Sequence, residues 1–152
     1  MRLAYRIVKR RHSTHAFDGE GAKLAGGRWN SPGQRVVYLS EHLSLAALEL
    51  FVHLGDDAAR LEWVYFVVEM SPALTIQTLR RKPKNWRAEP PTAASMRIGD
   101  AWLAAGESAL LQVPSAIIPA ESNFLLNPTH SSSGKLRIAP PRPFHFDPRM
   151  WK

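Results

Sequence analysis

Cysteine is absent from this 152-residue chain. Without thiols the protein can form neither a disulfide framework nor a thiolate metal site. This composition fits a reducing compartment, so we expect a cytoplasmic protein. The N-terminal residues lack an apolar stretch of signal-peptide length, and no apolar run approaches the roughly 20 residues of a membrane span. We therefore expect a soluble, intracellular protein that makes no membrane contact.

Several motifs with known chemistry are also missing. The chain has no phosphate loop of the Gly-x-x-x-x-Gly-Lys-Ser type, no Gly-x-Gly-x-x-Gly dinucleotide fingerprint and no Gly-x-Ser-x-Gly nucleophile elbow. Among the six histidines, His12 and His15 are three residues apart, but no further ligands follow at metal-binding spacing. We expect no metal and no permanently bound cofactor.

Acidic residues are outnumbered by basic ones, 13 to 20, which gives a formal net charge of +7. A basic protein attracts polyanions such as nucleic acid, phosphates or an acidic partner. The positive charge is concentrated at 9–11 and 80–84, two segments that we interpret as solvated turns. A basic nucleic-acid-binding module is an alternative, but no strand interleaves basic and aromatic residues as such modules do.

The remaining composition, 45% hydrophobic and 22% charged, is that of an ordinary globular protein, and we expect one domain over residues 1–152. Many short strands with two principal helices predict an α+β fold with a mostly antiparallel sheet. Strands are predicted at 3–8, 35–39, 62–70, 109–113, 115–118, 123–126 and 143–146. Between the first two lies a long loop, 12–34, of the kind that often carries function.

The two predicted helices have recognisable ends. Ser40 is predicted to cap a helix over 41–54, and Gly55 ends it. Thr92 is predicted to cap the second helix, which Gly106 terminates. The second helix carries one apolar stripe formed by Ala94, Ile98, Ala101, Trp102 and Ala105.

Glu49 is the one charged residue of an otherwise apolar run, 45–52. Burial disfavours an ionised carboxylate unless a cation or hydrogen bonds support it. Two interpretations follow: a functional carboxylate, or a carboxylate at the helix surface that pairs with His53 four residues later.

Five other residues are candidates for a functional site. Arg28 follows two glycines, which allow close approach to a ligand, and its guanidinium suits phosphate. Its neighbour Trp29 can pack against a flat ring or anchor the core, and Asn30 can contact a ligand or cap a turn. Tyr38 is either a core tyrosine or part of a site. Ser115 is a hydroxyl among apolar residues that could simply bond a neighbouring carbonyl.

These pieces, in this order, resemble the RES-domain family, the toxin half of bacterial Xre–RES toxin–antitoxin pairs. The resemblance spans almost the whole chain. It rests on segments 5–6, 26–30, 36–40, 45–49, 113–115 and 123–128.

The resemblance implies a fold like that of ADP-ribosyltransferase toxins, with a split, mostly antiparallel sheet around a cleft and flanking helices. It also implies NAD+ as substrate, with cleavage of the nicotinamide–ribose bond by water or phosphate; transfer of ADP-ribose to a protein is the alternative within the family. The family's catalytic residues fall on Arg28, Tyr38, Glu49 and Ser115. The implied NAD+-binding residues are Arg28, Trp29, Asn30, Tyr38, Ser40, Ser115, His15 and Asn127.

The family's biology also implies partners. A helix-turn-helix antitoxin of the Xre family would block the active site, and a positively charged cleft mouth would suit an acidic antitoxin segment. The complex would contact DNA only through the antitoxin. The toxin could also form a homodimer within that complex.

Overall fold

An eight-stranded sheet forms the centre of the protein in the computed structural model, which describes residues 1–152. Its strands are β1 (Arg2–Lys9), β2 (Val37–Ser40), β3 (Trp63–Met70), β4 (Ile76–Thr78), β5 (Leu110–Pro114), β6 (Ser122–Leu126), β7 (Arg137–Ile138) and β8 (Arg142–Phe144). The spatial order is β4-β5-β6-β2-β1-β3-β7, and β8 also pairs with β3. Every pairing is antiparallel except that of β4 with β5. The predicted α+β class and mostly antiparallel sheet are confirmed.

The sheet is nearly divided between β1 and β2. These strands share a single register pair, Tyr5 with Ser40, whereas β1 pairs with β3 over its whole length from Arg2 to Lys9. On the other side, β2 pairs with β6 at all four of its residues. The two halves of the sheet therefore diverge at this junction, which corresponds to the split that the family resemblance implies.

Three α-helices accompany the sheet: α1 (Glu20–Ala25), α2 (Leu43–Phe51) and α3 (Ala93–Ala105). One sheet face is covered by α3 over β5 and β6, through a cluster that contains Trp102, Leu111 and Leu125. On the same face α2 packs beside β1 and β3, through Ala46 and Ile7. The two helices thus lie on either side of β2 and the divided junction, and the region between them is here called the cleft.

The opposite sheet face carries the largest apolar cluster, which includes Val37, Leu39 and Phe124. Because side chains alternate along a strand, Val37 and Leu39 enter this cluster while Tyr38 and Ser40 face the cleft. The alternation of β2 therefore presents two polar side chains to the region between α2 and α3.

Helix α3 agrees with its predicted ends. The Thr92 hydroxyl accepts a hydrogen bond from the Ser95 amide, and Gly106 takes the left-handed conformation at the C-terminus. Its buried side differs from the predicted stripe, however: Ser95, Gly99 and Trp102 are buried, whereas Ala101 and Ala105 are exposed. Small residues are buried because α3 lies directly against a neighbouring backbone segment.

The predicted cap of the first helix is wrong. Ser40 ends β2, and α2 begins at Leu43, after His42 at the N-cap position. Ser40 instead pairs with Asn123 across the sheet, so its hydroxyl is used by a strand neighbour rather than by a helix end.

Three other sequence-based expectations need correction. The predicted loop 12–34 contains α1 and part of a 3-10 turn at Arg10–His15. Segment 115–118 is a turn rather than a strand, because the Ser115 hydroxyl accepts the backbone N–H groups of Ile117 and Ile118. Strands β4 and β7, each of three residues or fewer, were not predicted because so short a segment shows no periodicity.

The helices do not reach the length and apolar composition that a bilayer-spanning segment requires.

Candidate active site

Glu49 lies on the side of α2 that faces the sheet. It follows the buried Leu45 and Ala46 by four and three residues, which places all three on one helix face. Its Oε1 accepts two hydrogen bonds of 2.7 Å, from the Ser115 hydroxyl and from the Asn123 side-chain amide. The proposed pairing with His53 is not formed. Two donors from outside the helix therefore support the carboxylate.

The Ser115 hydroxyl is oriented by its own turn. Its oxygen accepts hydrogen bonds from Ile117 N at 3.1 Å and Ile118 N at 3.0 Å. A hydroxyl has one hydrogen and two acceptor positions, so with both acceptor positions filled its hydrogen is directed to Glu49. Ser115 is fully buried, and its side chain therefore acts as a fixed donor to the carboxylate.

Asn123 is held in a similar way from the adjacent strand. Its Oδ1 accepts a 2.7 Å hydrogen bond from the hydroxyl of Ser40, its register partner on β2. This contact directs the Asn123 amide nitrogen towards Glu49, since the two amide atoms point to opposite sides. A polar chain from Ser40 through Asn123 thus fixes Glu49 from the sheet.

The two carboxylate oxygens of Glu49 differ in their surroundings. Both protein donors meet Oε1, whereas Oε2 has no hydrogen-bond partner. It is also not among the buried unsatisfied atoms, and the residue is half-buried, so Oε2 is open to solvent. One oxygen is held by the protein and the other is available to a ligand.

Tyr38 lies on the same face of β2 as Ser40, two residues earlier and about 7 Å away along the strand. Its hydroxyl donates to Asn30 Oδ1 at 2.6 Å and accepts from Trp29 N at 3.2 Å. Burial raises the pKa of Tyr38 above its ordinary value, although the hydrogen bond from Trp29 opposes the shift. Tyr38 is therefore neutral at physiological pH, and it offers its ring rather than a phenolate.

Trp29 and Asn30 are buried and belong to the framework around Tyr38. The Trp29 ring is stacked near Trp86, with centroids 6.3 Å apart. The Asn30 amide donates to the carbonyl of Ala22 at 2.9 Å. These contacts support the core and turn interpretations of the two residues; a direct role in NAD+ binding stays a prediction.

Arg28 makes several contacts with the loop that precedes α3. Its Nη1 donates to the carbonyls of Trp86 at 2.9 Å and Ala88 at 2.7 Å, and its Nη2 lies 3.1 Å from the Glu89 carboxylate. A guanidinium has five N–H groups, so three are used and two remain. The side chain is 17% exposed. Arg28 thus fastens residues 86–89, here called the strap, beside the cleft.

The strap also reaches the Ser115 turn. Arg87 Nε donates to the Ala116 carbonyl at 2.9 Å. Ala116 directly follows Ser115, the donor to Glu49. The carbonyls of Trp86 and Ala88, on either side of Arg87, accept hydrogen bonds from Arg28. The strap therefore links the Arg28 loop to the Glu49 cluster, and Tyr38 is bonded to the same loop through Trp29 and Asn30.

The loop that contains Arg28 is held against α3 by contacts that the sequence did not reveal. Asp100 accepts hydrogen bonds from the Ser31 amide at 2.9 Å and from the Ser31 hydroxyl at 2.5 Å. One residue earlier, Gly99 faces the Trp29 carbonyl so closely that a Cβ built on it would lie 1.6 Å from that oxygen. A glycine in the middle of a helix is the available sequence signal, because it is otherwise unfavourable there.

The remaining predicted binding residues lie apart from this network. His15 is 75% exposed in its side chain and lies 3.6 Å from Asp18. The Asn127 side chain accepts from the amide and the hydroxyl of Thr129 and so closes a turn after β6. Neither makes a hydrogen bond with the Glu49 cluster, so their role in NAD+ binding stays a prediction. Asn123, in contrast, contacts Glu49 but was not among the predicted site residues.

Arg6 adds a positive charge behind the cleft. Its guanidinium donates to the carbonyls of Tyr38 at 3.0 Å and Ala16 at 2.6 Å. Burial lowers the pKa of Arg6 to about 10, and the charge of Asp18 acts in the opposite sense. The group stays protonated at neutral pH, where it fixes the backbone of β2 beneath Tyr38.

One group of potential metal ligands lies near the cleft. His42 Nε2 is 3.4 Å from Glu121 and 3.9 Å from Glu41. Glu41 also accepts a hydrogen bond from the Ser122 amide. The grouping is therefore two carboxylates beside one imidazole, and it carries no metal assignment.

The sheet, the flanking helices and the cleft define a class of fold seen in a solved structure. The MbcT–MbcA toxin–antitoxin complex of M. tuberculosis contains a chain that superposes with a TM-score of 0.77, at 16% identity. The match covers 99% of this chain and 86% of that chain. The likeness establishes the fold, which is consistent with the expected ADP-ribosyltransferase-like architecture.

Residues 3–147 match the RES domain, and the protein therefore belongs to the RES domain family. A curated relative from Yersinia enterocolitica, "Toxin Res", is 41% identical, with 97% of this chain and 99% of that protein covered. The "Toxin Res" of Photorhabdus laumondii is 38% identical over 83% of this chain and 81% of that protein. The "Prs ADP-ribosylating toxin" of a Sphingobium species is 34% identical over 93% of this chain and 90% of its own length.

Proposed function

We propose that the protein is the toxin of a toxin–antitoxin pair and that it consumes NAD+ by cleaving the nicotinamide–ribose bond. The family and the names of its curated relatives support the toxin role. The observation that carries the proposed chemistry is the arrangement of Glu49, whose Oε1 is held by Ser115 and Asn123 while its Oε2 is open. NAD+ is a substrate in this proposal and not a resident cofactor.

The proposed reaction needs a fixed negative charge close to the ribose. Cleavage of an N-glycosidic bond develops oxocarbenium character on the sugar, as in glycoside hydrolysis. The bonding electron pair leaves with nicotinamide, which is cationic in NAD+ and becomes neutral. The open Oε2 of Glu49 would stabilise the ribosyl cation and orient water, whose oxygen bonds to C1 of the ribose as one proton is released.

Other residues would position the substrate. Tyr38 would border the nicotinamide with its neutral ring, and Arg28 would direct positive charge to the diphosphate through its two remaining N–H groups. The Ser115 hydrogen is already directed to Glu49, which favours a positioning role for this serine over a bond to the nicotinamide ribose. Pre-positioning of this kind lowers the barrier because little rearrangement is needed during the reaction.

A partner would restrain such an activity. We propose an Xre-family antitoxin that covers the cleft in the cytoplasm, with DNA contacted through the antitoxin and a toxin homodimer in the complex. The structural neighbour comes from a toxin–antitoxin complex, which supports an antitoxin partner. The net charge of +7 suits an acidic segment of that partner.

Transfer of ADP-ribose to a protein is the second candidate. It is favoured by the 34% identical Sphingobium relative, whose name describes an ADP-ribosylating toxin. The same carboxylate would serve both reactions, since they differ in the acceptor that attacks the ribose. The acceptor therefore has to be determined by identifying the product.

The test is incubation of the purified protein with NAD+ while nicotinamide and ADP-ribose are measured by chromatography. We expect nicotinamide release by the wild type and a loss of at least about a hundredfold in Glu49→Gln. Glu62→Gln is the matched control, because Glu62 directly precedes β3, is exposed and forms an ion pair only with Arg10. Equal rates for Glu49→Gln and the wild type would rule out the assignment. Nicotinamide release that depends on added protein, with labelled ADP-ribose on that protein by mass spectrometry, would favour the transferase.

A further inference from the structure

Arg87 is a cation at the cleft whose end groups are free. Its side chain is exposed, and its one protein contact is the 2.9 Å hydrogen bond from Nε to the Ala116 carbonyl. Both terminal nitrogens lack a partner, and no carboxylate lies within salt-bridge distance. Four of its five N–H groups are therefore available to a ligand. The contact with Ala116 limits the movement of the guanidinium without consuming the two nitrogens that form its fork.

Two of the neighbouring cations are already engaged. Arg28 uses three N–H groups on the strap and is 17% exposed. Lys82 lies over the Trp86 ring, 5.2 Å from its centroid. Within residues 86–89 Arg87 is the one cation, and its terminal nitrogens are free.

The position of Arg87 suits a ligand that also meets Glu49. Ala116 is adjacent to Ser115, whose hydroxyl is 2.7 Å from Glu49 Oε1. Summed along the bonds, these covalent and hydrogen-bonded links span about 17 Å, so the Arg87 guanidinium lies no farther than that from the carboxylate. A planar guanidinium fork matches the oxygens of a phosphate group better than a single ammonium does.

We infer that Arg87 is a second phosphate-binding residue of this cleft, in addition to Arg28, and that it contacts a phosphate oxyanion beside the Glu49 centre. The inference rests on the proposed consumption of NAD+. The oxyanion has two sources: the diphosphate of NAD+ itself, or inorganic phosphate that attacks the ribose in place of water. Both present the same phosphate oxygens to the guanidinium, and kinetics distinguish them.

The experiment compares the wild type with Arg87→Gln, using Arg81→Gln as the matched control. Arg81 is exposed on the same basic segment and makes no hydrogen bond or ion pair. Nicotinamide release is measured against NAD+ concentration in phosphate-free buffer, and then against inorganic phosphate at fixed NAD+. Arg87→Lys, which keeps the charge but loses the fork, tests whether the charge or the geometry matters.

If Arg87 binds the diphosphate, Arg87→Gln raises the KM for NAD+ about tenfold without phosphate, as expected for loss of a charge-assisted hydrogen bond. If it binds the free acceptor, that KM is unchanged, and the phosphate concentration for half-maximal acceleration rises by a similar factor. Either result supports the site. If Arg87→Gln and Arg81→Gln have the same KM for NAD+ and the same phosphate concentration for half-maximal acceleration, the site is overturned.

A binding measurement keeps the two proposals separate. Inorganic pyrophosphate is titrated into the wild type and Arg87→Gln by calorimetry, which requires no turnover. Weaker pyrophosphate binding by Arg87→Gln supports the phosphate site even if the wild type releases no nicotinamide. Absence of nicotinamide release would contradict the proposed function but not the phosphate site. Equal pyrophosphate binding by the two proteins, with Arg87→Gln unfolding at the wild-type temperature, would overturn the phosphate site. The proposed NAD+ turnover would be unaffected by that result.

Discussion

Glu49 and Arg28 are both charged residues on the cleft, but the protein holds them in opposite ways. Glu49 receives two neutral donors on one oxygen and leaves the other oxygen open. Arg28 places three of its N–H groups on the strap, two of them on backbone carbonyls. One charge is positioned and left available, whereas the other is largely used to organise a loop. A charged residue in a cleft can therefore serve chemistry or architecture, and its hydrogen-bond partners distinguish the two.

The largest expected effect on stability follows from Arg28→Ala. The substitution leaves the partly buried carbonyls of Trp86 and Ala88 without their donor and removes the ion pair with Glu89, and each lost hydrogen bond of a charged donor costs about 1.5 kcal/mol. We expect urea unfolding to show a free energy of unfolding about 3 kcal/mol below that of the wild type. Glu49→Gln is the comparison: Gln can accept the same two hydrogen bonds on its oxygen, so its stability should stay within about 0.5 kcal/mol of the wild type. Equal losses in the two variants would remove the contrast between the two charges.

The next effect is expected for Gly99→Ala, which tests whether α3 positions the Arg28 loop. The new Cβ would overlap the Trp29 carbonyl, a backbone atom, so the loop would have to move. Overpacking of this kind costs about 1–3 kcal/mol. We also expect weaker NAD+ turnover because the strap moves with Arg28. Gly21→Ala is the control, since nothing lies within 4 Å of its built Cβ; a similar response at both positions would show that α3 has no special role.

Ser115→Ala is expected to have a smaller and more specific effect. Removal of the hydroxyl leaves Asn123 as the one remaining donor to Glu49, which becomes less well fixed. We expect about a tenfold fall in kcat with little change in the KM for NAD+, and a stability loss of about 1 kcal/mol. Ser44→Ala, at an exposed position of α2, provides the reference. A large rise in KM with unchanged kcat would instead indicate that Ser115 contacts the substrate.

The smallest effect concerns Tyr38 and depends on pH. At neutral pH, Tyr38→Phe removes the bonds to Asn30 and Trp29 and should cost about 1 kcal/mol. The pKa of Tyr38 is raised in the folded protein, so its stabilising contribution is complete below the ordinary tyrosine value of about 10. Above that pH the unfolded chain loses the phenolic proton first, and the advantage of the wild type falls by about 1.4 kcal/mol per pH unit.

Urea unfolding of the wild type and Tyr38→Phe at pH 7, 9 and 10.5 measures this difference. Arg6 is present in both proteins, so its own titration cancels from the comparison. A difference in stability that stays constant across this range would show that Tyr38 ionises normally in the folded protein.

Local features of the fold were predictable because they depend on neighbouring residues. The β-branched and aromatic run in 62–70 predicted β3, and Thr92 and Gly106 marked the two ends of α3. Ser40 shows the limit of such reasoning. It has the right chemistry and position for a helix cap, but a partner on another strand takes its hydroxyl, and that partner is 83 residues away in sequence.

The site was predictable in part, because its motifs stand in the order that the family resemblance requires. The family resemblance placed Glu49 and Ser115 in one site, and a hydrogen bond joins them, whereas Asn123 and Arg87 were not predicted as site residues. Asn123 lies within an ordinary strand pattern, and Arg87 lies in an irregular segment with no motif. Their importance comes from contacts with Glu49 and Ala116, which are 74 and 29 residues distant.

The sequence by itself determined the family, the α+β class and the presence of an isolated carboxylate on an apolar helix, because these follow from residue order and local periodicity. Only the tertiary structure decided which charges stay available. Glu49 keeps one open oxygen because Ser115 and Asn123 both donate to the other oxygen. Arg28 has few free N–H groups because three of them are bonded to the strap. Hydrogen-bond partners far apart in sequence meet only when the sheet and helices pack, so no local pattern records them.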